Sequence, residues 1–220
     1  MILLPFIVVA IVLMVVSYLR HRDAESRAGS LRRSGFGFML VYVAIGSLFI
    51  IGETFSDPGG WAAVGWVALW LVPMVSISLF AWFHCDRAEP ILMALTGLVV
   101  ALSVWYAIDS HAWRAFENNH GPVRGIAIFA LSAALAAFGY RRPRHGGILL
   151  LVAGAIPILV STLASGGLGM SSLGALAAPA IITGVLYLWS SRVGGIGPKS
   201  RNLPFRARNR QPKSLPLNSI

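Results

Sequence analysis

Seven long apolar segments take up most of this sequence. They cover residues 2–19, 36–53, 61–83, 90–108, 122–140, 146–165 and 172–190. An α-helix needs about 20 apolar residues to cross a bilayer, and each segment approaches that length. Only 12% of the 220 residues are charged, whereas a soluble domain carries about 25%. The sequence therefore predicts an all-α, polytopic transmembrane helix bundle with seven spans.

The first segment is predicted to stay in the membrane as a helix. Its positive charges, Arg20 and Arg22, follow the apolar run, whereas a cleaved signal peptide has them in front and ends in a small-residue cleavage site. We expect a transmembrane domain over 1–190 and a basic, disordered cytoplasmic tail over 191–220.

The positive charges predict the orientation of the spans, because cytoplasmic loops collect Lys and Arg. Sixteen of the 18 cations fall on one side: five in the loop 20–35, Arg87, three in 141–145 and seven in the tail. The other side has only Arg114 and Arg124. This predicts N-out, C-in. Sixteen of the 18 cations are Arg, a composition typical of a GC-rich bacterial genome, and we expect the protein in the bacterial cytoplasmic membrane. Segments six and seven are joined by an uncharged link, so they could instead be re-entrant.

Polar residues gather near the predicted outer face and form a candidate site. They are Glu53, Asp57, Asp109, His111, Glu117 and His120. Carboxylates and imidazoles can bind divalent metals, but the spacing of the two His matches no metal motif. We therefore predict neither a metal nor a cofactor. A solvated connector is the alternative; Asp57 before Pro58 is typical of a turn. Glu53 is the favoured functional carboxylate because it lies nearest the hydrocarbon.

The centres of the predicted spans contain no Asp, Glu, Lys, Arg or His. This counts against a proton-coupled transporter, which uses such groups inside the membrane. Prolines do occur mid-span, at Pro73, Pro157 and Pro179, and broken helices can line a substrate path. Kinked packing helices are the alternative, because small residues in segments five to seven permit close helix contacts.

The tail is predicted to contact anionic lipid headgroups, because basic segments next to a membrane helix are attracted to them. Its cations are Arg192, Lys199, Arg201, Arg206, Arg208, Arg210 and Lys213. A simple topology anchor is the alternative interpretation. Since the positive charge is confined to loops and tail, no nucleic-acid partner is predicted.

Two segments resemble each other at an offset of 57 residues. "AWFHCDRAEPILMALTG" (81–97) and "FGYRRPRHGGILLLVAG" (138–154) share an Arg, an Ile-Leu pair and a closing Gly. Each is expected to form a helix, a cytoplasmic turn and a second helix in the same orientation. Parallel repeats of this kind occur in some transporters.

The stretch "GSLFIIGETF…WLVPMVSISLFAWFHCDRAEPILMALTG" (46–97) resembles short bacterial multi-pass membrane proteins with domains of unknown function. The shared features are a Gly-Glu pair ending one helix, a Pro in the next helix, and a Trp before the following turn. The resemblance implies a multi-pass membrane protein and supplies no catalytic or binding residues.

The sequence predicts a non-catalytic accessory or scaffold subunit, with a membrane-protein partner or as a homo-oligomer. A small permease or carrier for an apolar or neutral solute is the alternative. A membrane enzyme that uses the outer acidic and His-containing loop is a third, more distant interpretation. The Gly-rich "GLGMSSLG" somewhat resembles a rhomboid protease, but the following segment lacks the His base that a serine nucleophile needs.

Overall fold

The computed structural model describes residues 24–56, 60–109, 111–113, 115–116, 123–165 and 172–195, together with Val12, Val15, Val16 and Leu19. The helices with defined bounds are α1 (Ala24–Ser56), α2 (Gly60–Phe83), α3 (Cys85–Ile108), α4 (Val123–Arg141), α5 (Pro143–Ser165) and α6 (Ser172–Gly195). The described residues form no strand. Helices α1, α2, α3 and α5 are long and apolar enough to cross a membrane. The all-α class is confirmed; seven spans and their orientation stay predictions.

Helix α1 begins twelve residues before the apolar segment predicted at 36–53. The loop predicted at 20–35 is therefore wrong from Ala24 onward, where the chain is helical. Ala28 and Leu31 are buried, and Ala28 lies against Gly194 near the end of α6. The first turns of α1 are helical because these apolar positions pack against α6, while Arg33, two residues beyond Leu31, is exposed.

Helix α4 is the centre of the bundle and contacts each of the other five helices. Ile128, Phe129, Leu135 and Phe138 are fully buried. The sequence of α4 is apolar or small on almost every face, and a helix of that kind is normally buried on all sides. Its alanines keep it thin enough for five neighbours to approach.

Glycines allow α4, α5 and α6 to pack closely. A Cβ on Gly146 would collide with the Cα atom of Gly139, where α5 turns back along α4. A Cβ on Gly147 would lie 2.9 Å from the carbonyl oxygen of Gly184 on α6. The Tyr187 hydroxyl of α6 donates a hydrogen bond of 2.8 Å to the Ala136 carbonyl oxygen of α4.

The chain reverses direction within one residue at His84 and again at Arg142. Pro73 on α2 and Leu95 on α3 lie eleven residues before and after His84, and both line the same cleft. A gap therefore separates the two helices at this distance from the turn, so α2 and α3 diverge from His84. The two hairpins lie side by side, with α2 against α4 and α3 against α5. The two segments that resemble each other in sequence, 81–97 and 138–154, thus have the same helix–turn–helix layout.

Most of the described arginines lie at one end of the bundle, which we call the basic end. This end contains the start of α1, both one-residue turns and the end of α6, because the helices alternate in direction. Its cations include Arg32, Arg33, Arg87, Arg141, Arg142, Arg144 and Arg192. Glu53 and Asp109 lie at the opposite end, near the ends of α1 and α3.

Candidate functional site

The polar site predicted near the outer face is only partly described by the structure. Glu53 is exposed in the last turn of α1, and Asp109 and His111 are exposed just after α3. Asp109 Oδ1 accepts a hydrogen bond of 2.9 Å from the Ala112 N–H, so this carboxylate caps a short helical turn. Three further predicted members, Asp57, Glu117 and His120, lie outside the described residues. Within the described ranges, no three His, Cys, Asp or Glu side chains are close enough to hold a metal ion.

The three mid-span prolines occupy different environments. Pro73 is exposed on α2 and lines a cleft. Pro157 on α5 and Pro179 on α6 are buried, in the part of the bundle where the glycines bring α5 and α6 together. Neither of these two lines one of the clefts described below. A path along all three prolines stays a prediction.

Of the tail cations predicted to contact lipid, the structure describes Arg192, which is exposed in the last turn of α6. The other six lie outside the described residues. The lipid contact of the tail stays a prediction.

A cluster of charged side chains joins the two hairpins at the basic end. The Arg142 guanidinium donates to Glu89 Oε2 at 2.5 Å and also to Asp86. His145 Nδ1 lies 3.2 Å from Glu89 Oε1. Arg142 is thus held by two carboxylates from the first turn and a half of α3. We call these four residues the ionic clamp.

Sequence reasoning did not identify the ionic clamp, because Asp86 and Arg142 are 56 residues apart. A signal was present, since the two similar segments place carboxylates after one turn and cations around the other. The structural role is direct: the clamp fixes the start of α3 to the start of α5. Its residues are partly exposed, so water screens the charges.

An aromatic cluster covers the same end of α1, α2 and α4. The Phe36 ring lies 5.4 Å from both the Trp82 and the Tyr140 rings, and Trp82 stacks on Tyr140 at 5.3 Å. The Arg141 guanidinium carbon lies 5.5 Å from the centre of the Trp82 ring. This geometry is a cation–π contact. It holds a positive charge over the aromatic cluster.

The first cleft, which we call cleft A, lies next to this aromatic cluster. It encloses about 410 Å³ between α1, α2 and α4. Met39, Leu40, Met74 and Leu79 contribute to an almost wholly apolar lining, in which Ser78 is one of the few polar residues. Leu40 and Leu79 are exposed at its rim, so cleft A is open to the surroundings of the bundle.

The second cleft, cleft B, lies between the diverging helices α2 and α3, with α4 as its floor. It encloses about 370 Å³ and is lined by apolar side chains and by Trp66 and Trp70. The Trp70 Nε1 atom is buried and has no hydrogen-bond partner within the described part of the chain. Ligand pockets usually enclose about 300–1,000 Å³, and both clefts fall in that range.

No family model, no curated protein and no solved structure matches this chain.

Proposed function

We propose that this chain is a non-catalytic accessory or scaffold subunit of a bacterial cytoplasmic membrane, with seven spans in the N-out, C-in orientation. The observation that supports a subunit role is cleft B. Helices α2 and α3 diverge from His84 and leave an apolar cleft whose rim side chain Leu98 is exposed. Side chains of a partner helix could fill such a cleft, because helix association in membranes depends on close packing.

The experiment tests cleft B directly with a photo-cross-linking amino acid at Leu98. The matched control is Met93 on the same helix, which lines neither cleft. The two side chains are 55% and 56% exposed, so a random collision would label them equally. A subunit is expected to cross-link one protein strongly from position 98 and weakly from position 93. That protein, or a second copy of this chain, should also co-purify in mild detergent at a fixed ratio.

Equal cross-linking from both positions, or none from either, would contradict a partner in cleft B. A second measurement then tests the alternative function, a carrier for a small solute. Small molecules that co-purify with the protein would be extracted and identified for the wild type and for Ala130→Trp, which fills cleft B.

A carrier for a neutral or apolar solute is the second candidate, and the size and apolar lining of cleft B support it. Its volume of about 370 Å³ falls in the range of about 300–1,000 Å³ that is usual for ligand pockets. A small molecule found with the wild type but lost from Ala130→Trp is the result expected of a carrier.

A further inference from the structure

Two helix faces that line cleft A, one on α1 and one on α4, each carry arginine where they reach the basic end. We call these faces the α1 and α4 stripes. On α1, the lining residues Phe36, Met39, Leu40 and Val43 follow the spacing i, i+3, i+4, i+7. That spacing marks one face of a helix. Extended by one turn toward the start of α1, the same face carries Arg32 and Arg33.

Helix α4 shows the same transition from apolar cleft to positive charge. Its lining residues are Ala133, Ala136 and Ala137, and one turn further the face carries Tyr140 and Arg141. The contact of Arg141 with the Trp82 ring shows that this arginine reaches the end of cleft A. Phe36, which lines the cleft, touches Trp82 and Tyr140, so the α1 and α4 stripes meet there.

Among the described residues, no carboxylate pairs with the arginines at this end of cleft A. Asp86 and Glu89 are engaged by Arg142 and His145. Within the described ranges, neither Arg33 nor Arg141 forms an ion pair with a carboxylate. Arg33 and Arg141 are both exposed. Cleft A, about 410 Å³ in size, is therefore continued toward the basic end by helix faces that carry Arg33 and Arg141, which form no ion pair with a described carboxylate.

We propose that cleft A binds an anionic phospholipid, with one acyl chain in the cleft and the phosphate against Arg33 and Arg141. The lining matches a hydrocarbon chain, and basic pockets between membrane helices bind anionic headgroups. The guanidinium group suits phosphate because it can donate two parallel hydrogen bonds. The site depends on the chain being in a membrane but not on the proposed subunit role, and it uses none of the predicted lipid-contacting residues of the tail.

The first experiment compares two double variants of the full chain by native mass spectrometry in mild detergent. The probe is phosphatidylglycerol with two long acyl chains, against phosphatidylcholine with the same chains. The variant Arg33→Gln/Arg141→Gln removes the proposed headgroup contacts. The control Arg87→Gln/Arg144→Gln removes two exposed arginines from the same end, on α3 and α5, which do not line cleft A.

The proposal predicts that Arg33→Gln/Arg141→Gln weakens phosphatidylglycerol binding by about 10- to 30-fold. Phosphatidylcholine binding and the control variant should change little. Because both variants lose two charges and keep the tail, equal weakening would mean non-specific attraction and would overturn the site.

The second experiment locates the acyl chain without relying on a variant that must fold. Phosphatidylglycerol with a photoreactive group in its acyl chain is added to the wild-type chain, and labelled peptides are identified. Label is expected within 36–43, 74–83 and 133–137, and excess unlabelled phosphatidylglycerol should displace it. Label spread evenly over the exposed apolar faces of α2 and α3 would overturn the site.

A cleft-filling variant separates the acyl chain from the headgroup. Ala133→Phe places a ring in cleft A and keeps every arginine. It should weaken binding of long-chain phosphatidylglycerol and leave binding of a short-chain form, whose tails barely enter the cleft, unchanged. Unchanged binding of the long-chain lipid would show that the chain lies elsewhere and would overturn the proposal.

Discussion

Gly139 and Gly146 determine how closely α4 and α5 approach after the turn at Arg142. Both are buried, and any side chain at Gly146 would meet the backbone of Gly139. Backbone cannot move aside as the end of a flexible side chain can. The contact of these two glycines therefore fixes the start of the α4–α5 hairpin, and with it the position of Arg142 in the ionic clamp.

We expect Gly146→Ala to destabilise the protein by about 1–3 kcal/mol, the usual cost of overpacking a tight contact. The measurement is thermal unfolding in detergent, followed by loss of the monodisperse species. The control is Gly97→Ala on α3, where a Cβ meets nothing within 4 Å. That substitution should be neutral or stabilising, since Ala favours a helix over Gly by about 1 kcal/mol. Equal unfolding temperatures for the two variants would contradict the close contact.

The ionic clamp should contribute a smaller amount of stability than the glycine contact. The side chain of Arg142 is 39% exposed and that of Asp86 is 85% exposed, and exposed ion pairs contribute about 0–1 kcal/mol. We expect Arg142→Gln to lower stability by about 1 kcal/mol, because it also leaves two neighbouring carboxylates without their shared cation. Arg144→Gln, an exposed arginine two residues later, should have no measurable effect. A double-mutant cycle with Glu89→Gln would isolate the pair, and additive effects would contradict the clamp.

At the scale of the helices, α1 differs most from what its sequence indicates. Five cations between residues 20 and 35 are typical of a cytoplasmic loop, yet the chain is helical from Ala24. Charge alone does not decide between loop and helix outside the membrane. The apolar positions Ala28 and Leu31, spaced for one helix face, were the signal for a packed helix.

Limited proteolysis with trypsin tests this helical extension. Cleavage needs a locally unfolded backbone, so Arg27, Arg32 and Arg33 should be cut slowly while α1 stays packed against α6. The tail residues Arg206 and Arg208, which the sequence predicts to be disordered, should be cut first. Mass spectrometry of the fragments over time gives the order of cleavage, and addition of denaturant serves as the control that removes the difference. Equally fast cleavage in both regions would indicate that residues 24–35 are not stably helical.

The other helices show what an apolar pattern can and cannot predict. Length and hydropathy placed helices at α2 to α6, because a membrane allows few other ways to satisfy the backbone. The same pattern could not tell Pro73, which is exposed at cleft B, from the buried Pro157 and Pro179. That difference depends on which face of each helix meets a neighbour. The apolar pattern therefore predicts where the helices lie in the sequence but not which helices pack against one another.

At the scale of the whole molecule, the pairing of the two hairpins could be expected only in outline. The offset of 57 residues indicated two helix–turn–helix units. It did not show that α2 would pack against α4 and α3 against α5. Nor did it show the ionic clamp, which requires the two turns to lie together at one end. The clefts escaped prediction for the same reason, since each depends on how α4 packs against two helices that lie earlier in the chain.

The segregation of charge between the two ends of the bundle leads to the last prediction, the orientation in the membrane. The described arginines at the basic end, including Arg87 and Arg144, should face the cytoplasm, because translocation of clustered cations is disfavoured. The test uses single cysteines in a Cys85→Ser background, which removes the one native thiol. Arg144→Cys marks the basic end and Ser56→Cys the opposite end; both positions are exposed.

In right-side-out spheroplasts, a membrane-impermeant maleimide should label Ser56→Cys at once and Arg144→Cys only after the membrane is permeabilised. The permeabilised sample shows that both thiols can react, so a missing signal reports sidedness rather than burial. The opposite labelling order would invert the whole topology, and the predicted inside location of the tail with it. The phospholipid site would then lie in the outer leaflet, since Arg33 on α1 and Arg141 on α4 lie at the basic end whichever way the bundle is inserted.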